Sequence, residues 1–282
     1  MHPVLHTVSV MGPNYLLALG ALCTDPVSEL SPLVVEEGKL AAELGVAHWS
    51  ATAGQLRASP DRDHGIMSLF LLNQNVMRHE FATAWPFARS GVQHLLTIDM
   101  IEPQPETLFL NIVSGVIVGS PIALFDSQCA AALGIIEEGQ TVLVRVMGWA
   151  IRLQTDLLAP FRRLQAVSLP PIGEDISFEA RNIRQPQSDL SLSLRIDPAF
   201  GPPVYEVEGL AVAVRDGPAL FGRRIHVLDV AVANAPAPSA LLVIEIWVPA
   251  HRWTGPPPVA GDRVSGMVWL QGLFEPQEPC EP

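Results

Sequence analysis

Residues Ala260–Pro276, "AGDRVSGMVWLQGLFEP", carry the clearest structural signals in the chain: a Gly261-Asp262 turn, an alternating run, and a further glycine near its end. Successive side chains of a strand point to opposite sides, so Val264, Gly266 and Val268 share one face. Trp269 breaks that parity and is expected on the other face. Gly266 and Gly272 supply a bend or a close backbone approach. Upstream, Val207–Arg215 sets Leu210, Val212 and Val214 against Ala211, Ala213 and Arg215, and Arg224–Val232 places Leu228, Val230 and Val232 opposite Asp229. "LLVIEIWVPA" (241–250) sets Leu242, Ile244, Ile246 and Val248 against Glu245 until Pro249, which cannot donate to a ladder, ends the strand. A short antiparallel sheet bent by glycines closes on itself to remove its edges. Residues 205–276 are therefore expected to form an OB-like β-barrel, or a small sandwich.

The first half repeats part of this pattern. "VSGVIVGSPIALFD" from Val113 resembles "VEGLAVAVRDGPALFG" from Val207, and "EEGQTVLVRVMGW" from Glu137 resembles "VAGDRVSGMVWLQG" from Val259, in the same order. The two landmark glycines are further apart in the second copy, so a duplication would have to give that copy an extra strand and loop. The fold class read from the chain is thus mainly β, with OB-like or sandwich modules that are candidates for duplication, preceded by a mixed α+β N-terminal part. In residues 1–154, Ser31-Pro32 opens an expected helix with Leu33, Leu40, Ala41 and Leu44 on one face before Gly45. Met77–Ala88 reads as helical up to Trp85-Pro86, Ile66–Leu72 and Leu95–Ile101 read as strands, and a first β module is expected at about 94–154. Residues 155–204, with a short helix at "TDLLAPFRRLQ" and then "LPPIGED" and "FGPPVY", read as a proline-spaced connector, and residues 277–282 as a disordered tail.

Of the 282 residues, 49% are apolar and only 16% charged, yet no apolar run approaches the roughly 20 residues of a spanning helix. "LLALGALC" (16–23) lacks a preceding Lys or Arg and has Leu22 where a processing site needs a small residue. Three dispersed cysteines, Cys23, Cys129 and Cys280, without a C-x-x-C pair, suit a reducing compartment. A cytoplasmic protein without membrane association is expected. The formal net charge of −12 divides as −8, 0 and −4 over residues 1–150, 151–199 and 200–282. No segment is basic, which disfavours nucleic acid as a partner because tracking phosphates requires clustered Lys and Arg. An acidic surface instead attracts cationic partners over long range, so a basic protein is the expected partner.

Catalytic grammar is sparse. Asp126 or Ser127 in "FDSQCAAALG" could cap an Ala-rich helix whose dipole lowers the thiol pKa of Cys129, the arrangement needed by a thiol hydrolase. The competing reading, a small buried apolar residue, is the commoner fate of cysteine. Asp61, Asp63 and His64 in "DRDHG" could begin a metal site, but "RHE" at Arg78–Glu80 lacks the second histidine of a zinc helix. "GPALFGRR" (217–224) has P-loop glycine spacing, with Arg223 and Arg224 where Lys and a hydroxyl belong. No cofactor motif is present. Trp253, Trp269, Arg252 and Gln271 are the candidate binding residues, since an OB-type ligand or oligonucleotide binder stacks bases on aromatics and follows phosphates with arginines; their alternative use is burial. The function these features favour is a non-catalytic binding or protein-interaction protein with an acidic surface. A thiol enzyme and an OB-like ligand-binding module are the alternatives.

Overall fold

The computed structural model describes residues 15–22, 39–40, 54–60, 63–75, 77–104, 107–155, 192–233 and 241–275. The protein is mainly β. Its described helix, α1 (Tyr15–Leu22), precedes a four-stranded antiparallel sheet in the order β1 (Lys39–Leu40), β2 (Gly54–Pro60), β3 (His64–Asn73), β4 (Arg78–Ala88). The larger sheet contains β5 (Val92–Gln104), β6 (Thr107–Ile117), β7 (Ser120–Asp126), β8 (Thr141–Thr155), β9 (Ser193–Ile196), β10 (Val204–Asp216), β11 (Ile225–Ala233), β12 (Leu241–Pro249), β13 (Trp253–Thr254) and β14 (Arg263–Phe274).

Two closed circuits make up that sheet, and they share two strands. β8 and β14 pair antiparallel along Val144–Thr155 and Val264–Phe274. The outer edge of β8 pairs first with β5 and then, in parallel, with β12, while the outer edge of β14 pairs with β10 and then, in parallel, with β7. One circuit runs β5–β6–β7–β14–β8 and the other β10–β11–β12–β8–β14. Each run of four strands therefore borrows its closing strand from the other.

The circuits match position by position. Ile98 and Met100 flank a bulge against Gly115 and Ser114, and Ala211 and Ala213 flank the same bulge against Val230 and Asp229. The turn before β8 has Gly139 donating to Ile98 O at 2.8 Å while Gln140 Oε1 accepts from Glu137 N at 3.1 Å. Before β14, Gly261 donates to Ala211 O at 2.8 Å and Asp262 Oδ2 accepts from Val259 N at 2.9 Å. Both glycines sit at positive φ, 83° and 95°, where a Cβ is disfavoured. Gly148 faces Leu270 at the centre of the ribbon. The sequence match of Glu137 with Val259 coincides with this register. The match of Val113 with Val207 does not, because Val113 lies on β6 and its counterpart is Leu228 of β11.

Period-two alternation sends one face of each strand inward. Leu96, Ile98, Val113, Leu124, Val144 and Val146 fill one circuit; Val207, Leu228, Val230, Ile244, Ile246 and Val268 fill the other. The outer face of the ribbon, with Met147, Trp149, Met267 and Trp269, lies under α1 and the four-stranded sheet, whose Ile66, Met67, Trp85 and Phe87 complete a second core. Trp269 faces this second core, on the opposite side of β14 from Val264 and Val268.

Some expectations need correction. Met77–Ala88 is not helical: Arg78–Ala88 is a strand, and the recurrence of Phe81, Thr83, Trp85 and Phe87 at every second residue is its signal. Pro86 is tolerated because β4 is the terminal strand of its sheet among the described residues. Within the expected Ser31–Gly45 helix, Lys39–Leu40 forms β1 against Ala58 and Arg57; the rest lies outside the described residues. Ser193–Ile196, inside the expected connector, pairs with β10 and buries Leu194. The helix at "TDLLAPFRRLQ" and the tail 277–282 also fall outside the described residues. Among the described residues, no helix is long and apolar enough to cross a membrane.

Close strand packing makes a steric prediction. A Cβ on Gly115 would lie 2.1 Å from Thr97 O, and one on Gly266 would lie 2.2 Å from Arg152 O. Gly115→Ala and Gly266→Ala should each destabilise the fold by about 3 kcal/mol, read from urea midpoints, because rigid backbone must move.

Candidate functional site

The singled-out residues divide between interior and surface. Cys129 is fully buried at positive φ (56°), in the turn after β7. Burial, reinforced by the neighbouring Asp126 carboxylate, pushes its thiol well above the ordinary value. That is the opposite of the activation a helix N-terminus would provide. Asp126 accepts from Ala131 N at 2.8 Å and Gln128 N at 3.3 Å, Ser127 Oγ donates to Gly272 O at 2.9 Å, and Trp85 Nε1 donates to Ser127 O at 3.1 Å. The loop is a buried clasp joining β4, β7 and β14.

Trp269 and Gln271 are almost wholly buried in the second core. The Gln271 amide donates to Pro86 O at 3.1 Å and accepts from Trp149 Nε1 at 3.2 Å. Phe125 lies against Trp269 with ring centroids 4.9 Å apart. Both residues join the covering sheet to the ribbon and present nothing to solvent. Half-buried Trp253 donates through Nε1 to Pro256 O at 2.7 Å, and Arg252 donates to Gly20 O of α1. Asp63 is exposed, whereas His64 lies over Trp247 with ring centroids 5.9 Å apart; Asp61 is outside the described residues. Among the described residues, no group of three His, Cys, Asp or Glu could hold a metal.

One polar cluster emerges only in three dimensions. Asp229 of β11 stands directly opposite Glu245 of β12, a like-charge pairing that is unfavourable by itself. Arg215 of β10 bridges them, with Nη1 2.9 Å from Asp229 Oδ1 and Nη2 on Glu245 Oε2. The other oxygen of buried Glu245 accepts from Trp247 Nε1 at 2.7 Å and from Ser90 Oγ. Nearby, Arg263 Nη2 contacts Glu208 Oε2 at 3.1 Å. Sequence parity placed Asp229 and Glu245 on their strands' polar faces, but their alignment depends on β11–β12 register. Both oxygens of Glu245 are occupied, so the cluster fixes strands and offers no free base.

The other circuit carries different chemistry at the same positions. Glu102 replaces Arg215, Ser114 replaces Asp229 and Ala123 replaces Glu245 by register; Leu95 and Thr141 stand for Glu208 and Arg263. Asp99, Glu102 and Glu137 are exposed there and form no ion pair with a described residue. Arg145 is the sole Lys or Arg between residues 92 and 146, and its Nε is held 2.6 Å from Glu275 Oε1. This outer face is the candidate functional surface. No protein-family model matches the chain, and no curated protein matches it.

Two measurements test these assignments. Burial raises the Asp126 carboxyl to about 6 despite its backbone hydrogen bonds. The folded state therefore holds that proton more tightly than the unfolded chain; the stabilisation is complete below 3.8 and lost as pH rises through about 6. Relative to Asp126→Asn, the wild-type protein should lose about 2 kcal/mol in urea titrations taken from about pH 4 to about pH 7. Separately, Arg215→Ala should cost about 3 kcal/mol by leaving two facing carboxylates, and adding Glu245→Gln should recover part of that loss.

Proposed function

We propose that the protein is a non-catalytic interaction protein whose acidic outer surface recognises a basic protein. The observation that carries this reading is the exposed carboxylate group Asp99, Glu102 and Glu137 on a stretch whose sole arginine is already held by Glu275. With few cations nearby, the negative potential extends into solvent and steers a cationic partner. The burial of Cys129 and of Trp269 weighs against the thiol-enzyme and base-stacking alternatives. A reducing, cytoplasmic setting remains the expectation from the dispersed cysteines.

We also propose that each circuit is an OB-like barrel and that the two arose by duplication of one four-strand unit. Support comes from the five-strand Greek-key return of OB folds and from the repeated bulge and turn hydrogen bonds. Because β8 and β14 each serve both circuits, the barrels exchange their closing strands.

Affinity capture from native lysate tests the interaction reading. A basic protein should be retained at low salt, released as ionic strength rises, and retained poorly by a combined Asp99→Asn, Glu102→Gln, Glu137→Gln variant. Retention independent of salt and of these carboxylates would contradict the reading.

A further inference from the structure

Resting on the acidic-surface reading, we propose that the outer face of the β5–β6–β8 layer is a docking surface for a basic, amphipathic segment of another protein, with apolar side chains at its centre and carboxylates around it. The centre comprises Leu95, 64% exposed, and Met100, 48% exposed, with Val118, 58% exposed, in the turn that follows β6. Leu143 faces Leu95 across the β5–β8 ladder, and Val116 faces Thr97 across β5–β6, so the apolar positions adjoin on three neighbouring strands. Asp99 at the bulge, Glu102 further along β5, and Glu137 in the turn before β8 rim the patch. Glu138 is tied to the same rim by accepting from Ile101 N at 2.9 Å.

Comparison within the molecule shows that the fold itself does not require this surface. At matching positions the second circuit has Glu208 for Leu95, Ser265 for Leu143, Ala213 for Met100 and Arg215 for Glu102, and it closes its face with Glu208–Arg263 and Arg215–Asp229–Glu245 contacts. The same backbone is therefore stable with small, mutually neutralised groups there. On β5 the large apolar groups remain in water beside carboxylates that no described cation neutralises. Exposed apolar area with a charged rim is characteristic of an interaction site. Charge selects the occupant: a second copy of a chain with net charge −12 would set Asp99, Glu102 and Glu137 against more carboxylates, whereas Lys and Arg of a basic segment would meet them favourably. The apolar residues of that segment would cover Leu95 and Met100.

The test uses the full chain and two labelled peptides of equal length and charge, one alternating Lys with Leu and the other Lys with Ser, followed by fluorescence anisotropy. The Lys–Leu peptide should bind more tightly than the Lys–Ser peptide. A double Leu95→Ser, Met100→Ser variant should lose about tenfold or more of that affinity, while Val259→Ser, at the matching turn of the other circuit, leaves it unchanged. Equal binding of the Lys–Leu peptide by wild type and double variant would overturn the surface while leaving acidic recognition standing. Equal binding of both peptides would overturn it likewise. Failure of both peptides to bind at low salt would remove the acidic reading as well. Sedimentation showing a wild-type dimer that Leu95→Ser, Met100→Ser dissociates would overturn the proposal in favour of self-association.

Discussion

The antiparallel pairing of β8 with β14 is the constraint from which the rest of the architecture follows. Each strand is long enough to line one circuit with its first half and the other with its second half. Gly148 opposite Leu270 marks the crossover: an added Cβ would approach Leu270 Cδ2 to 3.0 Å, so the bare glycine lets the Leu270 side chain occupy the shared interior. Slipping the ribbon by one residue would reverse both faces, exposing Val144, Val146 and Val268 and forcing Met147, Trp149 and Trp269 inward. Register is thus enforced from both sides, by the core inside the circuits and by the tryptophan-rich core above.

Buried polar groups refine what apolar burial begins. Gln271, Ser127 and Glu245 each bond to elements distant in sequence, and an orphaned partner in such a site costs more than the bond itself contributes. They act as registration points among strands whose Val, Leu and Ile side chains are similar enough to tolerate several alignments. The two circuits also show that one backbone arrangement accommodates different chemistry on its outer face. One outer face is stitched by arginine between carboxylates, and the other keeps leucine, methionine and acids in contact with water.

Much of the local structure was legible. The alternation from Arg224 to Phe274 corresponds to β11, β12 and β14. On β10 the bulge between Ala211 and Ala213 turns Ala211 and Val214 inward and Leu210 outward, so Leu210, Val212 and Val214 do not share the one face read for them. Trp269 lies on the face its parity gave it. Whether the ring met solvent depended on Trp85, Phe87 and α1, which lie far upstream and carry no mark of where they pack. The borrowed closing strands were not legible either. Period-two patterns specify which face is buried, but not which partner occupies each edge. On β4 the apolar density around Trp85-Pro86 masked the alternation of Phe81, Thr83, Trp85 and Phe87. At Cys129, a short Ala-rich run suggested a helix, yet the chain there makes a buried turn whose Asp126 cap is required to satisfy backbone N–H groups. The Arg215–Asp229–Glu245 cluster needed cross-strand register, which single-strand patterns do not encode.

The shared β8–β14 ribbon also sets the order in which the circuits can close. During synthesis β5, β6, β7 and β8 emerge well before β14, and the edges of β7 and β8 that β14 later covers have no native partner until residues 263–274 follow. A nascent chain thus carries an unclosed circuit from the completion of β8 until β14 appears, and that strand closes both circuits together. The two circuits share their closing ribbon, so losing residues 263–274 would leave both open along an edge.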